Sequence, residues 1–229
     1  MEWSAPQRPV DYTEQALVTA ILDGTYPAGS ALPGERDLAV QLGVTRPTLR
    51  EVLRRLERDG WLRVHQGKAT IVNDIWRDGG LNVLGTLVRY SDRFPPDFIL
   101  NLLEVRLAMA PAFIAAAVAR DPAQVIAIVS AYTDLPDEPE AFAAFDWDLQ
   151  RRLTMVSGNP IYTLIINGFT TIYAEAARRY FARTKTRTAS RTFYAALLEA
   201  ARRQDADEAG RVARMAMQQS IELWQEVES

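Results

Sequence analysis

The stretch from Gly43 to Val72 constrains the fold more than any other part of this chain. Gly43 stands where a short helix over residues 35–42 must end. Thr45 can cap the next helix through its side-chain oxygen. Pro47 is tolerated in that helix's first turn, where the backbone N–H groups lack helical partners anyway. Leu49, Val52, Leu53 and Leu56 recur at helical spacing and predict one buried face. At about 100° per residue, Arg46, Arg50, Arg54 and Arg58 fall on an adjacent stripe. Gly60 stops the helix. Residues 61–65 and 69–72 then read as two short strands around Gln66-Gly67-Lys68, a hairpin. Helix, turn, helix and a glycine-tipped hairpin make the pattern of a winged helix-turn-helix. A helix fits the major groove of DNA, and residues near its N-terminus reach base edges.

Charge supports that use. The whole chain carries 26 basic and 29 acidic residues, a net charge of −3, so it is no uniformly basic coat. Between Arg46 and Lys68, however, seven basic residues face only Glu51, Glu57 and Asp59, a local excess of four positive charges. Phosphate binding by counterion release needs such a concentration, not a high overall isoelectric point. The single histidine, His65, reads as a strand or wing residue and lacks partners for base catalysis.

Outside this segment the chain reads as helical. Residues 12–23 follow a helical period ended by Gly24. A weakly periodic stretch over 75–96, with one short helix near 81–90, reads as a linker. From 97 onward the expected helices cover 97–119 (bent or split at Pro111), 123–132, 139–155, 160–182, 189–203 and 206–227. The predicted class is mainly α. A winged helix-turn-helix domain with a small β-hairpin wing spans 1–74, and an all-helical antiparallel bundle spans 97–229. The longest apolar run, residues 107–119, has 13 residues and falls short of the ~20 that span a bilayer. No membrane partner is expected. Cysteine is absent, which excludes thiolate metal sites and a cysteine nucleophile and suits a reducing cytoplasm.

Several blocks resemble a known family. Gly29-x-x-Leu32-Pro33-x-Glu35-Arg36-x-Leu38-Ala39, Leu42-Gly43-Val44-Thr45-Arg46 and Leu49-Arg50-Glu51-Val52-Leu53-x-x-Leu56 resemble the N-terminal domain of GntR-family transcription regulators. Arg58-Asp59-Gly60-Trp61-Leu62, Gly67-Lys68, Leu81-Asn82-Val83-Leu84, Asn101-Leu102-Leu103-x-Val105-Arg106 and Ser157-Gly158-Asn159-Pro160-Ile161-Tyr162 are similar to its FadR subfamily. The resemblance covers residues 10 to 225. It implies a cytoplasmic homodimer on a palindromic double-stranded DNA operator, with contacts from Arg36, Thr45, Arg46, Thr48, Arg50, Gln66 and Gly67. The subfamily has His-Gly at the wing tip where this chain has Gln66-Gly67, and Pro47 replaces a usual threonine. The resemblance also implies control of fatty-acid metabolism genes. Its effector would be long-chain acyl-CoA, held by Arg106, Tyr180, Ser220 and Trp224 in the helical domain, with no cofactor.

Helical projection alone gives three anomalies in that domain. Arg106 lies amid Ile99, Leu103, Ala110, Phe113 and Ala117. Asp146 lies amid Phe142, Phe145, Leu149 and Leu153. Ser220 lies amid Val212, Ala216, Leu223 and Val227, with Trp224 at the edge. A charge on an apolar face is costly unless paired. Arg106 and Asp146 can pair with each other, or Arg106 can face an anionic or polar ligand. Ser220 can bond back to the carbonyl of residue 216 or contact an effector. Met217 stands where the subfamily has glycine, and a longer side chain there narrows a cavity. The run Arg178, Arg179, Arg183, Lys185, Arg187 and Arg191 is either a solvated face or a surface for coenzyme A phosphates. Related GntR regulators hold a metal with an aspartate and several histidines. Asp146 matches that aspartate but the histidines are missing, so no metal is expected. The alternative function is a GntR regulator that senses another small carboxylate. With one histidine and no nucleophile motif, an enzyme is not expected.

Overall fold

The computed structural model describes residues 8–64, 67–90 and 97–228, with residues 227 and 228 described for their backbone only. The chain divides into two compact units, residues 1–93 and 94–229.

The first unit begins with α1 (Pro9–Leu22), α2 (Glu35–Leu42) and α3 (Arg46–Arg58). Gly43 ends α2 at φ 66°, in the left-handed region, which costs any residue with a Cβ about 1–2 kcal/mol. Thr45 caps α3, its Oγ1 accepting from the Thr48 N–H at 3.3 Å. Leu49, Val52, Leu53 and Leu56 are buried, as their spacing predicts. They pack with Leu17 and Val18 of α1, Leu38 of α2, and Trp61, which is fully buried at the foot of the wing. The wing strands are β1 (Leu62–Arg63) and β2 (Ile71–Val72), antiparallel, with Leu62 opposite Val72. They are shorter than expected, and Ala31 bridges to Ile71 from the other side. The periodicity of residues 25–34 carried no strand signal for that bridge.

Two helices follow the wing. The one-turn α4 (Ile75–Asp78) was not expected, and α5 (Asn82–Tyr90) lies where one short helix was. Val83, Thr86 and Leu87 of α5 are buried and the helix packs against α1. The described part of residues 75–96 therefore belongs to the first unit's core.

The second unit is wholly helical among the described residues. It comprises α6 (Phe98–Arg120), α7 (Pro122–Val129) continued by a 3-10 turn (Ser130–Asp134), α8 (Pro139–Val156), α9 (Pro160–Gly168), α10 (Thr170–Phe181), α11 (Thr184–Arg202) and α12 (Ala206–Glu228). Its largest helix pair is α6 with α12. The two helices lie close at Gly210, where a Cβ would stand 3.4 Å from both the Pro111 carbonyl and the Ala115 methyl, about van der Waals contact. The α6 helix runs through Pro111 without a break. It is long and apolar enough to cross a membrane, yet its Ala110, Phe113, Ile114 and Ala117 sit in the bundle core.

Two helices depart from expectation. The single helix expected over 160–182 is two, separated at Phe169 after Gly168. The helix expected from 189 begins at Thr184. Its threonine-rich start is a poor helix former, but tertiary bonds hold it. Arg187 Nη1 donates to the Phe181 carbonyl at 2.8 Å and Nε to Asp137 at 2.8 Å, while Thr186 Oγ1 bonds to the Arg183 carbonyl. The bond to Phe181 satisfies a carbonyl that the end of α10 leaves open.

Candidate functional site

Two surfaces gather the residues singled out above, one in each unit. In the first unit, Arg36, Arg46, Arg50, Arg54 and Arg58 are all exposed. The buried leucines of α3 fix its roll, and the arginine stripe faces solvent as the wheel predicts. Arg50 is 56% exposed and its Nε donates to Glu35 Oε2 at 2.6 Å, a link from α3 back to the start of α2. Thr45 and Thr48 share a hydroxyl contact at 2.9 Å at the N-terminus of α3. A trough between α2, α3 and the wing is lined by Glu35, Arg50, Arg54, Gly67 and Lys68. Gly67 has φ 74° and open space where a Cβ would stand. Of the residues expected to touch DNA, the structure thus places Arg50 and Gly67 in one trough and leaves Arg36, Thr45 and Arg46 exposed beside it. Gln66 and His65 lie outside the described residues.

In the second unit, an apolar cavity of about 100 Å³ lies among α6, α8, α9, α10 and α12. Its wall includes Leu103, Met109, Phe113, Phe169, Ile172 and Phe181, together with all four expected effector residues, Arg106, Tyr180, Ser220 and Trp224. Arg106, Tyr180 and Ser220 also line a small polar pocket next to it, with Asp146, Ser190 and Gln219. These three residues therefore stand where an apolar space meets a polar one. Met217 is buried and belongs to the wall of the small pocket, not of the large cavity.

Asp146 organises this junction. Its Oδ2 receives Arg106 Nη2 at 2.9 Å and the Tyr173 hydroxyl at 2.6 Å, and its Oδ1 receives the Tyr194 hydroxyl at 2.9 Å. The expected pairing of Arg106 with Asp146 is present, and both residues still face the junction. Burial is the largest influence on Arg106 and disfavours its charge, but Asp146 together with Tyr173, Tyr180 and Tyr194 outweighs it, and the guanidinium is held above its ordinary pKa. The Tyr173 and Tyr194 phenols are pushed well above 10, first by burial and then by the Asp146 charge. Tyr180 is raised by burial, and its contact with Ser220 works against that rise. Ser220 Oγ donates to the Ala216 carbonyl at 2.8 Å, the back-bond anticipated from sequence.

Three donors already bond to the Asp146 carboxylate, two on Oδ2 and one on Oδ1. Among the described residues no three His, Cys, Asp or Glu side chains gather in a metal-binding group. The basic run across the end of α10 and the start of α11 divides by role. Arg187 and Arg191 are structural, Arg191 donating to the Leu135 carbonyl at 2.6 Å and lying over the Phe142 ring. Arg178 pairs with Glu175 and Lys185 with Glu226, whereas Arg179 lies over the Trp224 ring. These five residues are therefore neither a purely solvated face nor a single phosphate clamp. The sequence reading missed Tyr173 and Tyr194, because a tyrosine on a helix face gives no sign of the carboxylate it will meet.

Two family models match the chain, and they divide it at residue 73 where the compact units divide at residue 94. Residues 10–72 match the model for bacterial regulatory proteins of the gntR family, and residues 73–229 match that for the FadR C-terminal domain. A fatty acid metabolism regulator protein of Escherichia fergusonii is 40% identical over 218 residues, covering 95% of this chain and 91% of that protein. One from Edwardsiella ictaluri is 41% identical over 223 residues, covering 97% and 93%. The solved structure of Lar, which controls the Listeria monocytogenes agr system, is similar in fold at a TM-score of 0.59 and 15% identity, covering 99% of both chains. The chain belongs to the GntR family of bacterial transcription regulators, with a FadR C-terminal domain as its second part, and is not an enzyme.

Proposed function

We propose that this protein is a homodimeric, cytoplasmic regulator of fatty-acid metabolism genes that binds a palindromic operator and is released by long-chain acyl-CoA. The names of its relatives support the metabolic assignment. The observation that carries the effector reading is the junction at Arg106, Tyr180 and Ser220, where an apolar cavity adjoins a polar pocket. An acyl thioester has that same division, a hydrocarbon chain joined to a polar head. The competing effector, a small carboxylate, would want a polar cavity with an uncompensated cation. Here the wall is overwhelmingly apolar and Asp146 already compensates Arg106.

On the DNA side, Arg50, Arg46, Arg36, Thr45 and Thr48 contact the major groove and its phosphates, and Gln66-Gly67 reaches the flank. Arg50 leaves Glu35 for the DNA on binding. The effector acts through volume. A cavity of ~150 Å³ holds only a benzene-sized molecule, so a long acyl chain must part the helices around a space of about 100 Å³. The thioester therefore favours an expanded bundle over the compact one, and this differential affinity shifts the dimer away from its operator-binding arrangement.

An operator gel shift with the full-length protein, with and without acyl-CoA thioesters of increasing chain length, tests the reading. Release by long thioesters and not by short carboxylates is expected. Arg50→Ala should weaken operator binding by roughly 1–3 kcal/mol if Arg50 reads a base. Operator binding indifferent to every thioester would refute the effector assignment, and unchanged affinity in Arg50→Ala would refute that contact.

A further inference from the structure

The wall of the large cavity contains a side chain that an apolar ligand does not explain. Gln150 on α8 is 2% exposed, and neither its Nε2 nor its Oε1 has a hydrogen-bond partner among the described residues. The indole Nε1 of Trp224, at 1% exposure, is likewise unpartnered in the same wall. A buried amide with both ends unsatisfied opposes folding, whereas leucine or methionine would fill similar space without that cost. The two groups are not idle members of the Asp146 network. Gln150 lies one helical turn beyond Asp146 on the same face of α8, ~6 Å further along the helix, and the Asp146 oxygens are taken by Arg106, Tyr173 and Tyr194. A mainly apolar wall therefore keeps a neutral donor-acceptor one helical turn from its charged junction.

We infer that the preferred ligand of this cavity is an oxygenated acyl chain, one with a hydroxyl or keto group along its hydrocarbon, and that Gln150 recognises that oxygen. A primary amide suits the task because it can donate to a keto oxygen or exchange both a donated and an accepted bond with a hydroxyl. Trp224 supplies a second donor to the same space. Sites built to bond a ligand hydroxyl discriminate against its deoxy analogue because the protein's own polar group is then stranded. This inference rests on the acyl-CoA reading above, and its test separates the two.

Calorimetric titration of the full-length protein with stearoyl-CoA and with 3-, 10- and 12-hydroxystearoyl-CoA gives the comparison. At least one hydroxylated thioester should bind about tenfold or more tightly than stearoyl-CoA. Gln150→Leu should abolish that preference while binding stearoyl-CoA at least as well as the parent, and its thermal midpoint should stay level or rise as the stranded amide is removed. Gln150→Met, an unbranched replacement, guards against a packing defect in the leucine variant and should behave alike. Equal binding of plain and hydroxylated chains by the parent, with a ratio unmoved by either substitution, would overturn the inference and leave the acyl-CoA reading standing. Binding of none of the thioesters would overturn both.

Discussion

Replacing Asp146 by alanine should be among the most damaging single changes available in the helical unit, and its cost follows from what it strands. The Asp146 side chain is 4% exposed and that of Arg106 20%, with Nη2 and Oδ2 at 2.9 Å. Removing the carboxylate leaves a guanidinium in a site that burial makes unfavourable for charge, and the buried Tyr194 and half-buried Tyr173 phenols lose their acceptor. Breaking a buried pair by deleting one partner costs ~3–5 kcal/mol. For a chain of this length each kcal/mol moves a melting transition by roughly 2–4 °C, so the midpoint should fall by about 6–20 °C. Differential scanning calorimetry of the full-length variant reads this directly. The same reasoning predicts a rescue. Arg106→Met combined with Asp146→Leu removes both charges together and should recover about half of the loss or more, since a buried pair replaced by apolar groups is often neutral. A single variant melting within about 2 °C of the parent, or a double variant no better than the single, would refute the claim that stranded charge sets the cost.

Gly43→Ala should cost about 1–2 kcal/mol through backbone strain alone, because the residue sits at φ 66° and a Cβ there meets nothing within 4 Å; urea denaturation of the variant checks it. Lys68→Ala, at the trough beside the wing, should weaken DNA binding nearly uniformly across sequences and lower the slope of log affinity against log salt by about one, measured by fluorescence anisotropy. The raised pKa values of Tyr173 and Tyr194 mean the folded chain holds these protons more tightly than the unfolded one, whose phenols titrate near 10. Their stabilising share is therefore complete below about pH 10 and lost as pH rises beyond it. In a spectrophotometric titration these two should ionise only as the helical signal disappears.

The two units differ in how far their sequence discloses them, for a physical reason. In α3, one short segment carries its own cap, stop, buried face and charge stripe, so local rules suffice and the exposed arginines fall where a helical wheel puts them. The break at Phe169 and the early start of α11 escape such rules. The first turns on Gly168 within an otherwise continuous apolar pattern, and the second on bonds from Arg187 to carbonyls of the preceding helix. In the bundle, Arg106 and Asp146 are conspicuous because a charge interrupts an apolar face, although they lie 40 residues apart and their pairing needed the packing of α6 on α8. Tyr173, Tyr194 and Gln150 interrupt nothing. Tyrosine and glutamine serve equally well at a surface, so a face that contains them looks ordinary until its neighbours are known. Sequence thus reveals the charged members of a buried polar network, whose burial is costly enough to look anomalous. The neutral members stay hidden, and in this protein they are the groups that complete the Asp146 site and set the polarity of the cavity wall.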